Sequence, residues 1–160
     1  CSQVGDELGS RLVTGRLVRD IMRLCFLMER AYAPYIKWLG TAFGELACAA
    51  EMRPLLDSAL AADTYAAREG ALCAAYEVAA RMHNDLGVTD PMPEAATPYH
   101  GRPFLVISGD RFADALRAAI ADPDVLALPD HLGAVDQFAD STDALSMARA
   151  FMGAYDPADV

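Results

Sequence analysis

Apolar side chains recur at helical spacing through the first half of the chain. Val13, Leu17, Ile21, Leu24, Met28 and Tyr32 lie three or four positions apart, which puts them on one stripe of a helix over residues 4–32 that faces a core. Pro34 ends that helix and suits the first turn of a second one over 34–47. Its apolar set is Tyr35, Trp38, Leu39, Ala42, Phe43 and Leu46. A third, shorter helix is expected over 53–62, starting at Arg53-Pro54. Asp63 or Thr64 can cap a fourth helix running to residue 86, with Gly87 just past its end.

Residues 88–103 break the pattern. Pro91, Pro93, Pro98 and Pro103, with Thr97 and Gly101 between them, describe an irregular crossover. It is long for a compact domain, and such loops are functional or mobile. Phe104-Leu-Val-Ile-Ser108 reads either as one short strand or as the start of a buried extended segment, and no partner strand is evident elsewhere in the chain. Helices follow over 110–121, ended by Asp122-Pro123, over 132–139, and from a cap at Asp140 or Ser141 through 154. The fold class is therefore all-α, a bundle of about five to seven helices with one proline-rich crossover over 88–103, in a single domain spanning residues 1–160.

Composition sharpens this picture. The chain has 160 residues, 54% of them hydrophobic, and 31 are alanines. Alanine favours helix and is depleted in strands, which excludes an all-β sandwich, and the apolar fraction excludes disorder. A domain of this size buries roughly 70% of its unfolded surface, so its core needs no disulfide or metal.

With 23 Asp and Glu against 13 Lys and Arg, the net charge is −10. The mean field repels nucleic acid, and no nucleic-acid partner is expected for this chain alone. No run of eighteen apolar residues and no secretory leader pattern occurs, so no membrane partner is expected. Cys1, Cys25, Cys48 and Cys73 form no Cys-x-x-Cys pair. They read as small buried hydrophobes in a reducing compartment, which points to the cytoplasm. The chain opens at Cys1 rather than at methionine, so it is expected to be a fragment of a larger polypeptide.

Three features carry candidate chemistry. Lys37 is the only lysine beside twelve arginines, and it stands between Tyr35 and Trp38 at the start of a helix. A lysine there can aim a point charge at a phosphate, with an aromatic ring nearby to stack a base. The plainer alternative is a surface lysine whose stem covers Trp38. Arg16, Arg19, Arg23 and Arg30 fall within roughly a 60° arc of the first helix. They make either a docking face for a phosphate-bearing ligand or a missing domain, or a row of salt bridges to neighbouring acids. Asp136, Asp140 and Asp143 share a face if the helix there is continuous and could hold Mg²⁺ through water. The simpler account has Asp140 and Ser141 capping the last helix, while Asp136 and Gln137 hydrogen-bond the arginines of the first.

His83, His100 and His131 are dispersed and form no ligand-spaced pair. Hydrolase elbows, phosphate-binding glycine loops and dinucleotide fingerprints are absent.

The sequence resembles the family called domain of unknown function 4037. The likeness is carried by Gly5-Asp-Glu-Leu-Gly-Ser-Arg11, Arg23-Leu-Cys-Phe-Leu-Met-Glu-Arg30, Tyr32-Ala-Pro-Tyr-Ile-Lys-Trp-Leu-Gly-Thr-Ala-Phe43 and Gly133-Ala-Val-Asp-Gln-Phe-Ala-Asp-Ser-Thr-Asp143. The resemblance implies an N-terminal nucleotidyltransferase-like domain preceding this one in the same chain. A looser likeness to the C-terminal bundles of aminoglycoside nucleotidyltransferases implies that Lys37 contacts nucleotide phosphates, with Tyr35 and the arginines beside it. The catalytic motif of that superfamily, Gly-Ser followed by Asp-x-Asp or Asp-x-Glu, is incomplete. Gly9-Ser10 is followed by Asp20, but Met22 holds the place of the second carboxylate, and Asp122-Pro-Asp124 lacks a Gly-Ser before it.

Two functions are therefore expected as alternatives. The first is a helical domain that helps to bind nucleotide or substrate through Lys37, Tyr35, Trp38, Arg16, Arg19, Arg23, Arg30, Asp136 and Gln137. It has no cofactor or catalytic metal of its own, and Mg²⁺ and a nucleoside triphosphate belong to the parent protein. The second is a non-catalytic interaction module that docks another domain or forms a homodimer. A metal-dependent hydrolase built on Asp136, Asp140 and Asp143 is a distant third.

Overall fold

A computed structural model of the chain describes residues 1–128. It divides into two compact units, Cys1–Ala119 and Ile120–Val160. Among the described residues the first unit holds five α-helices: α1 (Glu7–Met28), α2 (Ile36–Phe43), α3 (Ala49–Ala61), α4 (Tyr65–Asp85) and α5 (Gly109–Ala119). A two-residue ladder, β1 (Thr97–Pro98) with β2 (Leu105–Val106), lies between α4 and α5. In the second unit, Asp122 caps the short helix α6 (Pro123–Leu126), its side chain accepting the Asp124 amide, with Pro123 in the first turn. The expected helices over 132–139 and 140–154 lie outside the described residues.

Helix ends follow their local chemistry. Asp6 caps α1 by accepting the Gly9 amide at 2.8 Å, and Thr64 caps α4 by accepting the Ala67 amide at 3.2 Å. Beyond α4, Gly87 takes the left-handed conformation at φ 62°, as its place in the sequence predicts. The end of α1 comes four residues earlier than the apolar stripe predicts. Arg30 adopts φ 55°, its amide bonds the Leu27 carbonyl, and the Ala31 amide bonds that of Phe26. This is the paired closure that usually calls for glycine. Pro34 therefore falls in the connection rather than ending α1.

The core is built where α1, α3 and α4 pack against one another. Phe26, Phe43, Met52, Leu56 and Val78 are buried in it, and the Phe26 and Phe43 rings meet edge to face at 6.2 Å. On α4 the small side chains Ala75, Ala79 and Ala80 are buried beside Leu72 and Val78. Ser10, Thr14, Val18, Ile21 and Cys25 form the buried stripe of α1. Val13, Leu24 and Tyr32, expected on that stripe, are exposed.

The proline-rich crossover is fastened along α4. Glu69, Glu77 and Asn84, eight and seven positions apart on that helix, accept the backbone amides of Leu105, Ala96 and Met92. The segment over 104–108 does have a strand partner, and it lies inside the crossover itself. Thr97 pairs with Val106 and Pro98 with Leu105, antiparallel. Proline at an edge position costs this ladder nothing, because the missing N–H is not needed there. No helix among the described residues is long and apolar enough to cross a membrane.

Candidate functional site

A cavity of about 1150 Å³ opens between α1, α4 and the segment that carries β1, β2 and the start of α5. From α1 it takes Ser10, Val13, Thr14 and Leu17, and from α4 it takes Tyr65, Arg68, Glu69, Leu72, Cys73 and Tyr76. Both sets recur at three- and four-residue spacing, so each is one helical face. Pro98, Tyr99 and His100 close one side, and Phe104 to Arg111 with Asp114 close another. The fastening of the crossover to α4 holds these groups in place.

Polar groups in this wall are tightly organised. Arg68, 1% exposed, sits in the first turn of α4 and donates Nη1 to the Ala62 carbonyl at 2.8 Å and Nη2 to Glu7 Oε2 at 2.6 Å. Its Nε is buried with no acceptor. Arg111 donates Nη2 to the carbonyls of Ile107 at 3.0 Å and Pro93 at 3.2 Å, and its Nε is likewise buried and unpaired. Glu69 Oε1 accepts the Tyr65 hydroxyl at 2.6 Å and the Leu105 amide. Burial, then this bond to a carboxylate, pushes the Tyr65 hydroxyl up to about 12. Burial does the same for Tyr76, also to about 12. Both phenols therefore stay protonated donors at neutral pH. Ser108 and His100, both in the wall, have positive φ values of 55° and 44°, sparsely populated for side chains with a Cβ.

The residues singled out in the sequence lie elsewhere. Tyr35 caps α2 without a side-chain hydrogen bond, and Tyr35, Lys37 and Trp38 are all exposed. Lys37 Nζ lies 5.6 Å from the centre of the Trp38 ring, the geometry of a lysine stem lying over its neighbour. On α1, Arg16 and Arg19 both reach Asp20, at 3.8 Å and 3.1 Å. Arg23 is half-buried on the same helix, and Arg30 is the exposed left-handed residue that closes it. None of these seven lines the cavity. Asp136, Gln137, Asp140 and Asp143 lie outside the described residues.

The cavity residues themselves carry weak sequence signals. Arg68 is one arginine in an alanine-rich amphipathic helix, and nothing in its spacing distinguishes a buried guanidinium from an exposed one. The sign that existed was Tyr65-x-x-Arg68-x-x-x-Leu72-x-x-x-Tyr76, a face mixing large aromatics with a charge. Among the described residues no three His, Cys, Asp or Glu side chains converge as metal ligands.

Residues 1–39 match the family described as Domain of unknown function (DUF4037), as the resemblance in the sequence implied. The match covers α1, the turn at Arg30 and the first half of α2. No curated protein and no solved structure matches the chain.

Proposed function

We propose, on the premise that residues 1–39 fall within the domain of unknown function 4037 family, that this chain is the helical ligand-binding part of a cytoplasmic nucleotidyltransferase-like protein. Its ligand, nucleotide or substrate, lies in the cavity between α1 and α4 rather than over Lys37. The observation that carries this reading is the cavity itself, large enough for a small metabolite and lined by both apolar rings and fixed polar groups. Catalytic carboxylates and Mg²⁺ would come from the nucleotidyltransferase-like domain preceding it in the same chain. Four free cysteines fit a reducing compartment.

The test is a thermal-shift screen of nucleotides and small metabolites on the wild-type chain and on Val106→Trp, which places an indole in the cavity wall. A ligand that raises the melting temperature of the wild type and not of the variant supports the reading. No shift by any compound, or equal shifts in both proteins, defeats it.

One observation favours a second reading, an interaction module. Leu27, Tyr32, Tyr35, Ile36 and Trp38, close in sequence around the α1–α2 turn, are all exposed, and exposed apolar side chains that gather on one surface mark interaction sites. On that reading Trp38→Ala and Tyr35→Ala change the sedimentation behaviour of the protein and leave ligand-induced thermal shifts alone.

A further inference from the structure

Glu69 brings a fixed carboxylate to the cavity wall with one oxygen uncommitted. Both of its hydrogen bonds fall on Oε1, which accepts the Tyr65 hydroxyl at 2.6 Å and the Leu105 amide at 3.1 Å. Among the described residues no donor or ion pair reaches Oε2, and that atom is not sealed in the protein as the Nε atoms of Arg68 and Arg111 are. The two bonds hold the carboxyl group between the Tyr65 phenol and the backbone at Phe104-Leu105. Tyr65 and Tyr76, four positions before and seven after Glu69, share its face of α4 and line the same cavity. Glu69 is therefore set among aromatic rings: Tyr65, Tyr76 and Phe104, the residue next to the amide it binds.

Charge in the wall selects the partner for Oε2. Arg68 is neutralised by Glu7, and Arg111 gives Nη2 to two backbone carbonyls. Asp110 and Asp114, one turn apart on α5, add two further carboxylates to the lining. A cleft with an excess of one sign gathers ions of the other, and the whole chain carries a net charge of −10. An anion would be repelled at Glu69. A neutral donor gains an ordinary hydrogen bond there, an ammonium a charge-assisted one of about twice the strength. Aromatic rings beside the carboxylate favour a cation as well.

We propose that the cavity binds a small molecule with a single ammonium group on a ring-bearing apolar body, the ammonium donating to Oε2 of Glu69. This rests on the reading of the cavity as the ligand site. The experiment titrates 2-phenylethylamine, 2-phenylethanol and 3-phenylpropanoate into the 160-residue chain by calorimetry at pH 7, where the amine carries its proton. The amine binds at least about tenfold more tightly than the alcohol, the scale of one hydrogen bond to a charged group, and the acid binds more weakly than either. Glu69→Gln keeps an oxygen for Tyr65 and Leu105, so it removes the preference for the amine and leaves alcohol affinity within about twofold. Val106→Trp, with an unchanged circular dichroism spectrum, abolishes binding of both compounds.

Amine and alcohol binding alike, with both lost in Val106→Trp, would overturn the ammonium inference and leave the cavity reading standing. Amine binding that ignores Val106→Trp would overturn the cavity reading itself. A preference for the amine that survives Glu69→Gln, an acid that binds as tightly as the amine, or failure of the amine to bind would each overturn the assignment to Glu69.

Discussion

Asn84 exchanges two hydrogen bonds with the backbone of Met92. Its Nδ2 donates to the Met92 carbonyl at 3.0 Å, and its Oδ1 accepts the Met92 amide at 2.8 Å. The carboxamide thus acts as one rung of a strand pair, and it fastens the proline-rich crossover to the end of α4. Nδ2 also reaches Glu94 Oε1 at 2.9 Å.

Asn84→Asp removes both donations and sets a carboxylate against a carbonyl and Glu94. The expected loss is about 1–3 kcal/mol, since donors and acceptors are left unmet and like charges face each other. Urea unfolding measures it, and limited proteolysis between residues 88 and 103 should quicken with the same substitution. An Asn84→Asp chain as stable and as protease-resistant as wild type would mean that the crossover is held by other contacts.

Glu29, just past α1, accepts the Ala47 and Cys48 amides at 2.8 Å each and so caps the start of α3 from a distance. Burial pushes its carboxyl up, but the bonds from the Cys48 thiol and from these two amides outweigh that and hold it below the usual carboxylate range. A lowered folded value means that the stabilisation is complete above the ordinary glutamate pKa and is lost as pH falls through the folded one. Glu29→Gln is therefore expected to cost about 1–2 kcal/mol at pH 7. The gap between variant and wild type closes as the medium becomes more acidic than pH 4, about the ordinary pKa, and thermal melts across that range read it directly.

Much of this fold is written in local chemistry. The span of α4 follows from Thr64 and Gly87, and the irregular stretch after it follows from its prolines. What the sequence hides is rotation and closure. The stripe read through Val13, Leu24 and Tyr32 is turned away from the core, and the small polar side chains Ser10 and Thr14 are buried on α1 instead. The end of α1 is hidden because an arginine takes the place of glycine. The cavity is hidden for a different reason. Its arginines stand more than forty positions apart in the chain, and single-sequence periodicity cannot say that Arg68 and Arg111 share a wall. Lys37 stands out in the sequence by its rarity and its aromatic neighbours, and it lies on α2 away from the cavity lining.

Arg30 occupies the left-handed position that closes α1 at φ 55°. A side chain there costs about 1 kcal/mol relative to glycine, partly offset by the entropy that glycine adds to the unfolded chain. Arg30→Gly should therefore raise stability by roughly 0.5 kcal/mol. Arg30→Val, branched at Cβ, should lower it. Equilibrium unfolding of both variants checks the sign, and a loss on Arg30→Gly would mean that the arginine side chain contributes more than its backbone costs.

The four free cysteines are not equally reactive. Burial raises Cys25 to about 11. Burial and the neighbouring Glu29 carboxylate raise Cys48 further, and burial with Glu69 and Glu77 raises Cys73. A thiol alkylates as its thiolate, so at pH 8 these three should react slowly and the exposed Cys1 quickly. Mass spectrometry after brief iodoacetamide treatment should show one modification on the native chain and four in denaturant. Rapid labelling of Cys25 in the folded protein would show that α1 and α3 separate readily.

The last prediction concerns the pair that holds Arg68 in the wall. Glu7 is half-exposed while the Arg68 side chain is only 2% exposed, so the two partners do not lose equally when the pair is broken. Glu7→Gln leaves a buried guanidinium without its counter-charge, at an expected cost of about 1–3 kcal/mol, below the value for a fully buried pair because water can reach the position of the carboxylate. Arg68→Met leaves only a half-solvated carboxylate behind and replaces the stem with apolar volume, so it should cost less than Glu7→Gln. If the guanidinium is the strained partner, the double variant is more stable than Glu7→Gln alone, and the pair shows coupling in a double-mutant cycle. Urea midpoints for the four proteins decide it. Strict additivity would mean that Arg68 is satisfied without Glu7.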